Sequence, residues 1–514
     1  MGQLTWLDHA FIMAYLLFTL AIGAWVSVYV RTGREFFLAG RTLPWWAVGV
    51  SLVATDIGGT DLIGVGGAAY RYGLVVANFE WIGCVPAMIV AAFVFIPHLW
   101  RCGVTTIPEY LERRFDGRVR LAVALCWVVF MACNLGVMLL ASAKLMQELV
   151  GWPVARTIWF IGVFVWFYTW SGGLAAVVYT DVLQGLVMMG GCAALVIAGM
   201  WELGGWQNLV HQVHAAVSTS PRHLLAPHDY FRLVLPVDTS SPFPWPAILF
   251  GLAFIISPAY WMGNQAIVQR ALGTRSVYEA RAAYVWGALL KNLIPFLIAI
   301  PGLMAIALIP DLPDADAALP TLIGRLLPAG MKGVFIAAFL AALMSSVDSY
   351  LNSASTLLTH DVYRRWLRPQ ADERRLLWVG RWLTVLLTGW GIFFAFQLQH
   401  WNQGIYAIFQ TLMSFFNGPA FAVLLAGVLF PQVNRHGALW GFWAGVITAM
   451  LLFLWNHPYV CGWFGWQPLF QIEEPFLYYS IWAFIMSGLV MSVTSYLTPA
   501  DDSDKRQLSF WGMR

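Results

Sequence analysis

Charge is what this sequence has least of. Asp, Glu, Lys and Arg make up 11% of its 514 residues, against about a quarter in an ordinary soluble domain. With 60% hydrophobic residues, the chain reads as a membrane protein that crosses the bilayer many times. The net charge of +3 gives no basic footprint, and no nucleic-acid partner is expected. Cysteine is also scarce. Cys84, Cys102, Cys126, Cys133, Cys192 and Cys461 are scattered, without metal-ligand spacing or a disulfide framework, and are expected to pack as small apolar groups. The longest polar loop, about 201–243, holds His211, His214, His223 and His228; the first two have no third ligand at a matching position. A catalytic loop, a metal signature and a phosphate-binding motif are all missing, so no enzyme activity is expected. The first apolar run lacks a basic lead-in and a small-residue cleavage site, which excludes a cleavable signal.

What is present is a series of apolar runs, each near the length that spans hydrocarbon. They lie at about 8–30, 45–70, 75–100, 120–147, 155–172, 176–200, 244–270, 279–308, 331–361, 376–397, 403–430, 437–455 and 475–497, predicting about thirteen transmembrane helices. The fifth and sixth are separated only by Ser171-Gly172-Gly173. Of the 29 Lys and Arg, 21 follow odd-numbered runs. By the positive-inside rule the N-terminus is outside and the C-terminus inside. The expected location is the cell membrane, a bacterial inner membrane, with lipid as surroundings.

Two runs are interrupted. One is broken around Ser51–Asp61, where Asp56 and Asp61 sit in a glycine cluster that continues through Gly67; the other around Ser257–Gln265. Irregular backbone at membrane depth survives only where it lines a cavity. A matched pair of interrupted spans in two halves of a chain points to a transporter's binding site. Asp56, Asp61, Glu80, Asp181, Lys291 and Asp348 are ionisable residues inside runs, which mark pathways by default. In the ninth run, Ser345, Asp348 and Ser349 share a helix face by their i,i+3 and i,i+4 spacing. Oxygens of this kind suit a hard cation; the commoner explanation for such residues in membranes is hydrogen bonding between helices.

Several segments together resemble the sodium/solute symporter family. They are Phe36-Phe37-Leu38-Ala39-Gly40-Arg41, Thr106-Ile107-Pro108-Glu109-Tyr110-Leu111, the stretch from Gly172 through Tyr179-Thr180-Asp181 to Gln184, Asn264-Gln265-Ala266-Ile267-Val268-Gln269-Arg270, and Ser345-Ser346 with Asn352-Ser353-Ala354-Ser355-Thr356. Phe79-Glu80-Trp81 and Tyr260-Trp261 resemble the sodium/glucose cotransporter branch. The resemblance implies an all-α leucine-transporter fold forming a single transporter domain over 1–514. It would contain two inverted five-helix repeats, about 45–200 (helices 2–6) and 244–430 (helices 7–11). Peripheral helices would lie at about 8–30, 437–455 and 475–497. It further implies a sodium site from the carbonyls of Ala54, Ile57 and Ala342 and the hydroxyls of Ser345 and Ser346. Asp181, Asp348 and Ser349 would form a candidate second sodium site, with a proton shared by the two aspartates as the competing explanation. The implied solute pocket comprises Asp56, Asp61, Glu80, Ser257, Tyr260, Trp261, Lys291 and Gln410, with Tyr260 as the inner gate. Asp56, Asp61 and Ser257 depart from the residues this branch usually carries there, which puts glucose or galactose specificity in doubt. Three carboxylates against one lysine disfavour an anionic solute.

The reading is a sodium-coupled symporter that imports a small neutral solute, a sugar or polyol, by alternating access, with Na+ as the coupling ion. Two alternatives stay open. One is a proton-coupled symporter, or one for a non-sugar zwitterionic or cationic solute, which exchange of sodium and pH gradients discriminates. The other is a solute sensor, which would normally need a fused signalling domain; 17 residues follow the last run.

Overall fold

The computed structural model describes residues 5–220, 223, 225–328, 330–399, 405–470, 472 and 475–512, less the side chains at 59–60, 148–149, 168, 171–172, 405–407 and 458–459. The expected start of the eleventh run at 403–404 and the terminal Arg514 lie outside the described residues. Among the described residues the chain is helical throughout, with two isolated β-bridges and no strand. In lipid a helix satisfies its own backbone groups, which an open strand cannot do.

The principal helices are α1 (Trp6–Ser27), α2 (Trp45–Asp56), α3 (Gly59–Tyr72), α4 (Phe79–Arg101), α5 (Gly117–Val150), α6 (Val154–Leu203), α7 (Ala247–Gly263), α8 (Gln265–Leu272), α9 (Val277–Leu308), α10 (Met331–Leu367), α11 (Glu373–Leu398), α12 (Ile405–Leu429), α13 (Arg435–Asn456) and α14 (Phe476–Leu497). Ten helices in the described residues are long and apolar enough to cross a membrane, or twelve if each of two bent pairs is one span. The expected fifth run corresponds to Val154–Phe167, a shorter apolar stretch that opens α6. It is joined to the sixth through a kink at Gly173 (φ 55°, ψ −151°). That backbone conformation suits glycine, and a Cβ there would come within 2.5 Å of the Phe36 carbonyl oxygen. The expected break between the fifth and sixth runs thus falls at Gly173, where the backbone leaves the helical region between Val154–Phe167 and Gly173–Leu203.

α10 is the central element, buried at every residue from Phe335 to Leu357. Much of that stretch is Ala and Ser, and small side chains let helix backbones approach closely where no hydrophobic effect separates protein from lipid. The outer helices turn large residues outward: Trp25, Trp201, Phe254, Trp382 and Trp440 are all exposed. All six cysteines are free, four of them buried. His211 is exposed and His214 packs edge-on against Phe231 at 5.6 Å. Burial holds the ring of His223 below the usual histidine range, against its contact with the Pro310 carbonyl at 3.2 Å.

Candidate functional site

Both interrupted runs are broken helices. α2 and α3 meet at 56°, α7 and α8 at 49°. α2 stops at Ile57, whose ψ of 77° leaves the helical region. Gly58 N then turns to the Asp56 carbonyl at 3.1 Å instead of continuing the ladder to Ala54. α3 restarts after Gly58, with Asp61 Oδ2 accepting from Gly58 N at 3.0 Å. The second break falls at Asn264, extended at φ −76° and ψ 120°, whose side chain caps α8 by accepting from Ala266 N at 2.9 Å. In each break a short polar residue replaces a lost helical bond, the usual role of Asp and Asn at a helix start.

A cleft opens beside these breaks. It brings together seven of the eight expected solute residues: Asp56, Asp61, Glu80, Ser257, Tyr260, Trp261 and Gln410. Phe79, Cys84, Phe409 and Met413 complete much of its wall. The eighth, Lys291, stands behind the lining, fully buried. Its ammonium contacts the Asp56 carboxylate and Glu80 Oε2 at 2.6 Å, and sits 5.8 Å from the Trp261 ring centre. Glu80 reaches this position from a π-helical turn, Phe79–Cys84, a wider coil often found at functional sites. Tyr260 lies edge-on to Trp261 at 5.6 Å. Tyr284 fixes the tryptophan backbone by donating to the Trp261 carbonyl at 2.8 Å. Gly83 lets α4 close on α7: a Cβ there would stand 2.5 Å from Ser257 Oγ.

One side of α2 meets α10 and α6 through polar groups. Ser346 Oγ donates to the Thr55 carbonyl at 2.8 Å and stands 3.3 Å from the Ala342 carbonyl. The α2 carbonyl that Ser346 reaches is that of Thr55, which lies in the chain between the expected Ala54 and Ile57. The break in the ladder leaves the Ala54 carbonyl without Gly58 N, its helical donor. A buried cluster of oxygens suits a hard cation such as Na+, so these residues fit one. Ser345 turns away and donates to Asp181.

Asp181 is the hub of a second network. Its Oδ2 accepts from Ser51 Oγ at 2.5 Å and Thr55 Oγ1 at 3.2 Å, and from Arg270 at 3.2 Å. Arg270 also donates to Ser51 at 2.7 Å, to Thr55 at 2.5 Å and to Ser349. Ser349 lies 3.1 Å from Asp348 Oδ1. The cation beside Asp181 is thus a guanidinium of the chain itself. Arg270 ends an apolar run, the place of a loop charge, yet the structure buries it completely. Thr55 was missed as well. Its i,i+4 spacing from Ser51, on the face that meets α6, is the signal that could have found it.

Comparison with known proteins is consistent over the whole chain. The sequence model of the Sodium:solute symporter family matches residues 36–445. The chain is similar to sodium/glucose cotransporter 4 of Mus musculus (32% identity, over 98% of this chain and 77% of the relative). It resembles a sodium/mannose cotransporter of Bos taurus (33%, 99% and 89%) and a sodium/glucose cotransporter of Vibrio parahaemolyticus (30%, 98% and 93%). Its fold matches the solved substrate-bound, outward-open structure of a Na+-coupled sialic acid symporter, with a TM-score of 0.81 at 22% identity over 97% of this chain and 99% of the other.

Proposed function

The chain belongs to the sodium:solute symporter family and is a multi-pass secondary transporter, not an enzyme; from that premise we propose that it couples sodium entry to uptake of a sugar-like solute. The observation that carries this reading is the cleft at the two helix breaks, where carboxylates, an amide and a tyrosine face one cavity. Carboxylates and amides take hydroxyl donors, and aromatic rings take the apolar faces of a sugar. The named relatives carry glucose and mannose, which supports the sugar class. Sodium travels as co-substrate, held by the carbonyls of Ala54, Ile57 and Ala342 with the hydroxyl of Ser346; the Ser345 hydroxyl joins them by turning back from Asp181. Holding them together draws α2 against α10 and favours the outward-facing state.

On this reading the two broken helices each open an inverted repeat, 45–200 and 244–430, and thirteen helices place the N-terminus outside and the C-terminus inside. The solute enters from outside and rests between the breaks, with Tyr260 closing the inner exit. Rocking of one repeat against the other then opens the inward path. The chemistry is entirely binding and release. Uptake by proteoliposomes under an inward sodium gradient, under a pH gradient and under neither tests it: accumulation on the sodium gradient alone is expected. Accumulation on the pH gradient alone would make the proton the coupling ion.

A further inference from the structure

Resting on the transporter reading above, we infer that the solute is an amino sugar or amino polyol, and that Asp61 holds its ammonium group. The argument is one of charge. Three carboxylates line the cleft, Asp56, Asp61 and Glu80. The single ammonium of Lys291 is shared between two of them, Asp56 and Glu80. Asp61 stands outside that pair. Among the described residues no lysine or arginine is paired with it, and its hydrogen bond comes from the backbone amide of Gly58. Asp61 lies in the first turn of α3. Counted as ionised, the four groups carry a formal charge of −2.

A neutral sugar entering this cleft leaves that charge unmatched in a medium of low dielectric, where an ion without a partner is costly. A solute with one protonated amine brings its own counter-ion. An anionic solute is opposed. A free metal ion among Asp56, Glu80 and Cys84 is opposed too, because the Lys291 ammonium already stands against both carboxylates. Trp261 lines the cleft, but its indole Nε1–H is itself enclosed, with the Cys84 thiol as its neighbour; the hydroxyls of the occupant fall to the Asp56 and Glu80 carboxylates of the same lining. The aromatic wall is compatible with a cation, since ring faces attract ammonium groups.

The test is binding by the purified full-length protein in sodium buffer just below neutral pH. The probes are glucosamine, galactosamine and mannosamine against their neutral parents glucose, galactose and mannose, read by calorimetry. At least one amino sugar is expected to bind tenfold or more tightly than its parent. Asp61→Asn retains an acceptor for the Gly58 amide and is expected to cut that preference to twofold or less. Equal or tighter binding of the neutral parents by the wild type, binding of none of the three amino sugars, or a preference that survives in Asp61→Asn overturns the inference. Neutral-sugar binding that weakens as pH rises would put a proton on Asp61 instead and overturn it also. A neutral sugar accumulated on a sodium gradient would overturn the amino-solute inference and leave the symporter reading standing; failure of every solute to accumulate would sink that reading itself.

Discussion

Arg270 and Asp181 form an ion pair, Nη2 to Oδ2 at 3.2 Å, with both side chains closed off from solvent. The pair ties α8 to α6, and hydroxyls of α2 and α10 complete it. Taking one partner from such a pair leaves a buried charge, a loss of about 3–5 kcal/mol. Arg270→Ala should therefore unfold at markedly lower temperature in detergent, and adding Asp181→Asn should recover much of the loss. A single variant as stable as wild type, or a double variant no better than the single, contradicts this.

The same pair bears on stoichiometry. Asp181 already faces a cation of the chain, so a second sodium is not needed to relieve its repulsion with Asp348. One sodium per solute is the expected flux ratio, unchanged in Asp348→Asn. The two cases differ clearly, because each charge crossing 100 mV contributes about 2.3 kcal/mol, roughly fiftyfold in attainable solute gradient. A ratio of two in wild type, falling to one in Asp348→Asn, would place a second sodium at Asp348.

Ser346 is the hydroxyl that joins α10 to α2, 2.8 Å from the Thr55 carbonyl. Ser346→Ala removes an oxygen from the proposed sodium site. The sodium concentration for half-maximal uptake should rise at least tenfold, about 1.4 kcal/mol. Wild-type sodium dependence in this variant would exclude Ser346 as a ligand.

Tyr260 is buried and lines the cleft beside Trp261. Tyr260→Phe should transport with reduced affinity, since only a hydroxyl is lost, whereas Tyr260→Ala should abolish coupled uptake. Normal transport by both would remove Tyr260 from the gate.

Gly83 and Ser257 offer a test of the cleft's shape. The added methyl of Gly83→Ala would meet Ser257 Oγ at 2.5 Å, closer than such atoms approach. Solute affinity should fall, and Ser257→Ala in the same background should restore part of it by deleting the clashing oxygen. A Gly83→Ala protein with unaltered affinity would mean that the cleft does not depend on this contact.

Much of this architecture is legible in the residues. The breaks at Ile57–Gly58 and Asn264 can be read because glycine and short polar side chains interrupt runs that are otherwise apolar. Seven of the eight expected solute residues line one cleft because each lies at a break or on a helix packed against it. Arg270 was not legible. A basic residue at the end of an apolar run looks the same whether it faces solvent or turns inward to a carboxylate 89 residues earlier. Lys291 was expected in the pocket wall and instead stands behind it, a difference of side-chain direction that spacing does not encode. The boundary at 171–173 is legible because glycines interrupt the run, and the backbone leaves the helical region at Gly173.

The central claim is coupling of sodium to solute at these helix breaks. Its most direct test is uptake of labelled solute by proteoliposomes at equal pH inside and out, with and without an inward sodium gradient, in wild type and in Ser346→Ala. Concentrative uptake that requires the sodium gradient, with its sodium dependence shifted to higher concentration in the variant, is the expected result. Uptake that never exceeds the external solute concentration whatever the sodium gradient would contradict the account.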